Sequence, residues 1–146
     1  MKWKYTVIEE LEAHPRKINS LENIKNKIRT LELRKTDLKG QQYDKEPVTG
    51  TGANHYEDGI IDAMVEIERL KRCYKMNKAD VNRVGEALKA LDTQEYKIIE
   101  IFYMSGRRPN IPKLEKEIKY QKSQIYRIRD QALKKLTYEL YGREEA

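Results

Sequence analysis

The sequence predicts an all-α protein with a helical N-terminal half and, at its C-terminus, two helices joined by a tight turn. Three observations predict it. Charged residues make up 37% of the 146 residues and the hydrophobic set 38%, with only 7 Gly and 4 Pro. That balance suits long helices with wide polar faces. Apolar residues recur at three- and four-residue steps along much of the chain. The stretch 111–136, IPKLEKEIKYQKSQIYRIRDQALKKL, interrupts that rhythm once. Leu114 and Ile118 form one repeat, and Ile125, Ile128, Ala132 and Leu133 form another, with Ile118 and Ile125 seven residues apart. Seven is too many for one helical turn and too few for a long loop. A short helix, a turn near Lys119-Tyr120-Gln121 and a longer second helix satisfy the spacing. This is a helix-turn-helix pattern, whose second helix can enter a DNA major groove.

The preceding elements are read in order. Tyr5, Ile8 and Leu11 share one face of a first helix, with Trp3 near it as a packed or partner-facing anchor. His14-Pro15 is expected to break that helix. A second helix is expected over 17–34, where Ile18, Leu21, Ile24, Ile28 and Leu31 give a coiled-coil-like seam. That seam can pair with a second copy or fold back on the chain. From Lys35 to Asn54 the periodicity stops, and three Gly and one Pro indicate a linker or mobile loop. Gly50-Thr51-Gly52 resembles a fragment of a phosphate loop, but no GK[ST] follows and no apolar strand precedes it. A third helix is expected over 56–76, with Cys73 as a small core residue, and a fourth over 78–91. Asp92 and Glu95 form a capping-box pair opening the next helix. Its Ile98, Ile99, Ile101, Phe102 and Tyr103 are apolar on more than one side, so it should be the most buried. The last helix should run to Gly142. The expected division is therefore N-terminal helices at 1–35, which can oligomerise, a linker at 36–55, and a helical domain at 56–146 with the helix-turn-helix at about 111–140.

Charge singles out the same C-terminal stretch. Between Gly106 and Leu136 there are ten Lys/Arg against three acids, +7, whereas the whole chain carries +6. A basic patch concentrated on one element is an electrostatic footprint for phosphate. No run approaches eighteen apolar residues, so no membrane span is expected. The N-terminus lacks the apolar segment of a secretory signal, and the single Cys73 cannot form an internal disulfide. A soluble cytoplasmic protein is the expectation. His14 and His55 have no ligand spacing, and no cysteine pair exists, so neither a metal, a cofactor nor an enzymatic reaction is expected.

With LDTQEYKIIEIFYMSG ahead of the two helices and Ala132-Leu133-Lys134-Lys135-Leu136 closing them, residues 88–140 resemble region 4 of the sigma-70 class. Small proteins with such a C-terminus and a helical N-terminal half are similar to phage late-gene transcription regulators of the RinA, ArpU and Xpf kinds. The resemblance implies a sigma-70 region 4-like helix-turn-helix on double-stranded DNA, with RNA polymerase as a candidate partner. It implies that Lys122, Ser123, Gln124, Tyr126 and Arg127 form the exposed front of the recognition helix. Gln can hydrogen-bond adenine and Arg can bind guanine through two bonds. Arg107, Arg108, Lys113 and Lys119 would contact phosphates. Tyr126 can instead pack against the preceding helices. The chain departs from the pattern at Lys119, where Gly is frequent, at Gln121, where Ser or Thr caps, and at Glu115, where a small residue packs. These departures suggest a wider turn. Residues 1–87 show no recognisable sigma region, so a self-sufficient sigma factor is not expected. The rival readings are a DNA-binding packaging protein like a small terminase subunit and a helical adaptor that binds only protein.

Overall fold

A computed structural model of the chain describes residues 2–44 and 52–143. Five helices hold nearly all of them: α1 (Lys2–Asp44), α2 (Gly52–Leu88), α3 (Thr93–Ile99), α4 (Ile111–Ile118) and α5 (Lys122–Tyr141). α3 continues into one turn of π-helix, Glu100–Met104. Among the described residues there is no strand, no helix long and apolar enough to cross a membrane, and no side-chain cluster able to hold a metal ion. The chain forms two compact units, Met1–Ile18 with Ala79–Ala146 (unit 1) and Asn19–Lys78 (unit 2). That division replaces the expected one at 35 and 55, because α1 and α2 each contribute to both units.

Unit 2 is a helical hairpin. Covered positions on α1 include Leu21, Ile24, Ile28, Leu31, Lys35 and Leu38, and on α2 Ile60, Ala63, Ile67, Leu70, Tyr74 and Asn77, with Cys73 partly covered beside them. Both series advance by alternating three and four residues, the heptad seam of a coiled coil. Leu31, Ile67 and Leu70 are its most buried members, with Ile24 and Ile28 packed on them. Asn77 Nδ2 donates to Ser20 Oγ at 3.0 Å, and a Cβ at Gly59 would meet Leu38 Cδ1 at 3.3 Å. Residue 20 facing 77 and residue 38 facing 59 make the hairpin antiparallel. Of the two options for the seam, the structure shows folding back.

This seam also explains two corrections. The expected linker is helical where it is described: α1 runs on to Asp44 and α2 begins at Gly52, while residues 45–51 lie outside the described residues. Lys35 and Leu38 extend the heptad, and burial against α2 outweighs the weak helix preference of residues such as Gly40. Likewise the expected third and fourth helices are one helix, since Asn77 lies on the seam and bonds Ser20 rather than breaking the turn. Within the suspected phosphate-loop fragment only Gly52 is described, and it opens α2.

Unit 1 gathers the start of α1, the end of α2 and all of α3 to α5. Its main core holds Val7 and Leu11 of α1, Val84, Ala87 and Leu88 of α2, Ile99 of α3, and Ala132, Leu133 and Leu136 of α5. The buried face of α1 is therefore Val7, Leu11 and His14; of the expected Tyr5, Ile8 and Leu11, Leu11 is fully buried, Ile8 packs partly buried on this core, and Tyr5 is 68% exposed. The Trp3 side chain lies outside the described residues. Pro15 does not end α1. A proline inside a helix removes one hydrogen bond and crowds the preceding turn, a cost of about 3 kcal/mol. The flanking turns are clamped to α2: Glu10 accepts from Arg83 at 2.6 Å before the proline, and Lys17 pairs with Asp80 at 2.8 Å after it. Together with full burial of Leu11, these contacts hold the helix through the defect.

The capping box read from the sequence is present at α3. Asp92 Oδ1 accepts from the Glu95 N–H at 2.8 Å, and Glu95 Oε1 accepts from the Asp92 N–H at 3.1 Å. Glu95 is buried and also takes Lys135 Nζ at 2.7 Å, which ties the start of α3 to α5. The hydrogen bond to Glu95 holds the Lys135 ammonium above its ordinary value.

Two consequences are measurable. Gly85 lies inside α2, and a Cβ there would meet nothing within 4 Å. Gly85→Ala should raise stability by about 0.5–1 kcal/mol, read from denaturant unfolding. His14 is buried, its Nδ1 has no hydrogen-bond partner, and burial, reinforced by the charge of Lys17, lowers its pKa. The unfolded chain, with His14 near its ordinary value of about 6.5, then binds more protons below that pH. Stability should be full above about pH 6.5 and fall with acidification towards pH 5. His14→Gln should flatten this part of the melting-temperature profile.

Candidate functional site

The two C-terminal helices meet α3 at one shared contact. Ile98 of α3, Leu114 of α4 and Ile125 of α5 are all within 2% of full burial and pack together. Ile101, Phe102, Ile118, Tyr120 and Ile128 surround them. α3 and its π turn serve two cores at once. Ile98, Ile101 and Phe102 face this cluster, while Ile99, Tyr103 and Met104 join the main core. Of the five apolar residues expected to make this the most buried helix, Ile98 and Ile99 are buried, whereas Ile101, Phe102 and Tyr103 are only partly so.

Local chemistry defines both ends of the turn. Asn110 opens α4 by accepting from the Lys113 N–H at 3.2 Å, and Pro112 in the first turn has no hydrogen bond to lose. Lys119 closes α4 in the left-handed conformation, φ 58° and ψ 31°. A non-glycine residue there carries a cost of roughly 1–2 kcal/mol. The turn is nevertheless only Lys119, Tyr120 and Gln121, so a lysine at this position strains the turn and does not lengthen it. The Tyr120 hydroxyl donates to Gln94 Oε1 at 2.8 Å, tying the turn to α3. Lys97 and Glu117, 3.4 Å apart, link α3 to α4 at the surface. α5 begins with the Gln121 N–H donating to Gln124 Oε1 at 3.1 Å and ends at Gly142, φ 69°.

The residues expected to form the site divide into three groups. Lys122, Ser123, Gln124 and Arg127 are exposed on the first turns of α5, flanked by exposed Lys119 in the turn and exposed Lys113 on α4. Gln124 commits its carbonyl oxygen to the helix start, so its amide NH2 is the group turned to solvent chemistry. Tyr126 is half-buried, and its ring meets Phe102 edge-on at 5.9 Å between centroids. Of the two roles open to it, the structure favours packing. Arg107 and Arg108 are exposed in the loop before α4 and line a different hollow, an open cleft of about 580 Å³ that also includes Glu12, Pro15 and Arg16 of α1. The sequence contained no sign that Arg16 stands with this pair, since ninety residues separate them.

Two cations counted in the basic stretch are bonded to acids inside the unit, and exposed Lys122 lies over the Tyr126 ring at 5.9 Å. Lys135 is on Glu95. Arg129 lies over the Tyr126 ring at 4.8 Å and the Phe102 ring at 5.4 Å, and donates to Asp130 Oδ1 at 3.2 Å. Lys4 of α1 reaches the same Asp130 oxygen at 3.2 Å. Burial alone would raise the Asp130 carboxyl, but the bonds and charges of Lys4 and Arg129 outweigh it and hold it below its ordinary value. The other eight cations between Gly106 and Leu136 are exposed. Phe102 and Arg129 meet only through tertiary packing, so their stack was invisible in the sequence.

No protein-family model, curated protein or solved structure matches this chain.

Lys119→Gly isolates the strain in the turn. It should raise stability by roughly 0.5–1 kcal/mol, the relief of left-handed strain less the entropy that glycine adds to the unfolded chain. Thermal unfolding monitored by circular dichroism checks this; a loss of stability would mean that the Lys119 side chain, not its backbone, holds the turn.

Proposed function

We propose that the chain is a sequence-specific DNA-binding transcription regulator of phage or prophage type, with α4 and α5 as a sigma-70 region 4-like helix-turn-helix. The observation that carries this reading is the pairing of a rigid support with an exposed basic front. Ile125 is fully buried against Ile98 and Leu114. One turn of helix around it, Lys122, Ser123, Gln124 and Arg127 stand in solvent. A recognition helix needs both, because base-edge contacts depend on fixed side-chain origins.

In this reading α5 enters the major groove by its N-terminal turns. Arg127 makes a two-bond contact with guanine, and the Gln124 amide NH2 donates to an acceptor on a base edge. Lys113, Lys119 and Lys122 meet phosphates and set the register without reading sequence. Tyr126 acts from behind, as a wall that positions Arg129 and the helix. RNA polymerase is a candidate second partner.

The test is selection of bound fragments from the source genome by purified protein, followed by a salt titration on the winners. One enriched site, with log affinity falling steeply against log salt, is expected. Equal binding to all fragments would favour a packaging protein, and absence of binding at moderate salt, with polymerase retained, would favour a protein-only adaptor. Arg127→Ala should cost roughly 1–3 kcal/mol of discrimination at one base pair of the selected site. Lys113→Ala should weaken all sequences alike and flatten the salt slope by about one unit. Unchanged site preference in Arg127→Ala would overturn the proposed orientation of α5.

A further inference from the structure

Unit 2 leaves an apolar strip on the side of α2 away from its seam. Ile61, Met64 and Val65 occupy adjacent positions one turn apart and are 56%, 49% and 64% exposed. Contiguous exposed apolar side chains on a helix mark an interaction surface more often than scattered ones do. The charges along the same face are ordered. Exposed Glu57, Asp58 and Asp62 precede Val65, and exposed Lys71, Arg72 and Lys75 follow it.

The ordering has a symmetry. Asp58, Val65 and Arg72 are spaced by seven residues, so they lie on one stripe of the helix. Asp58 is about 10 Å before Val65 and Arg72 about 10 Å after it along the axis. A second α2 laid antiparallel about a two-fold axis at Val65 places each Asp58 opposite the other copy's Arg72. The apolar strips then meet at the centre. Arg69 is engaged by Glu66 of its own helix, and Glu68 lies 3.9 Å from Lys71, so neither obstructs this arrangement with an uncompensated charge. A parallel pairing would set acid against acid and base against base. The face is self-complementary in one orientation only.

We propose that unit 2 forms a two-fold dimer with a second copy of this chain, α2 against antiparallel α2, centred on Val65. The two hairpins together make a four-helix assembly in which Ile61, Met64 and Val65 of both copies are covered. This interface differs from one through residues 1–35, and it does not depend on whether α5 binds DNA.

Sedimentation of the full chain at micromolar concentration tests it. The wild type should sediment at twice the 17.4 kDa chain mass. Val65→Asp should give a monomer with unchanged helical circular dichroism, since the residue is exposed within its own chain. Asp58→Arg alone and Arg72→Asp alone should each weaken the dimer by about tenfold or more, because like charges then face each other twice per dimer. The double variant Asp58→Arg/Arg72→Asp should recover most of the affinity. A monomeric wild type, or a dimer indifferent to Val65→Asp and to both single reversals, would overturn the proposal. Failure of the double variant to recover would overturn the antiparallel register.

Discussion

The contact of Ile98, Leu114 and Ile125 determines where the basic front of the molecule lies. One residue comes from each of α3, α4 and α5, and each is almost wholly removed from water. α4 has only eight residues, too short to persist alone in water, so its place depends on Leu114 in this contact. The direction in which Lys122, Ser123, Gln124 and Arg127 point is then fixed by geometry, because they share a helix with Ile125. Polar ties reinforce the arrangement from outside: Tyr120 on Gln94, Lys97 on Glu117, and Lys135 on buried Glu95. Exposed ion pairs contribute little individually. Their value here is directional, since they join the turn, α4 and α5 separately to α3.

α3 can serve this role because its own position is set from the other side. Ile99, Tyr103 and Met104 lie in the main core with Val7 and Leu11 of α1, and Ile98 and Phe102 lie in the smaller one. A regular helix turns 100° per residue, and the π turn at Glu100–Met104 adds one residue to that phase. The two faces remain fed with apolar side chains across the whole element. Arg129 bridges the same region, stacked on Phe102 and Tyr126 while sharing Asp130 with Lys4 of α1. A chain whose N-terminus is ninety or more residues away thereby stiffens the helix that follows the turn.

Much of the C-terminal half was legible because its signals are local. The Asp92–Glu95 box, the interruption between Ile118 and Ile125, and Gly142 at the end of α5 each depend on residues within one or two turns. The N-terminal half was less legible for the converse reason. Pro15 and the Gly-containing segment after Lys35 carry strong local signals against helix, and both were overruled by contacts with residues far along the chain. Glu10 with Arg83, Lys17 with Asp80, and Leu38 beside Gly59 are invisible until α1 and α2 are paired. Of the candidate site, the exposed positions on α5 were named from the resemblance, while periodicity marked only Ile125 and Ile128 as inward-facing. The inward packing of Tyr126 did not, since it needs Phe102, and neither did the approach of Arg16 to Arg107 and Arg108 in one cleft.

The distribution of cations finally separates charges that support the fold from charges that do not. Lys4 on Asp130 and Lys135 on Glu95 each join two helices, and Arg129, bonded to its neighbour Asp130, reaches the π turn by lying over Phe102. Eight others between Gly106 and Leu136 stand in solvent, and the acids of that stretch are Asp130 and the two glutamates of α4. One of these, Glu117, is already occupied by Lys97. Uncompensated like charge destabilises a compact state through self-repulsion. Lys122 lies over the Tyr126 ring at 5.9 Å, but nothing in the packing of unit 1 requires the other seven side chains to be basic. The proposed phosphate contact supplies the missing opposite charge, and counterions must occupy that face whenever DNA does not. The strong salt dependence expected of binding is the same physical fact, seen from the side of the ions released.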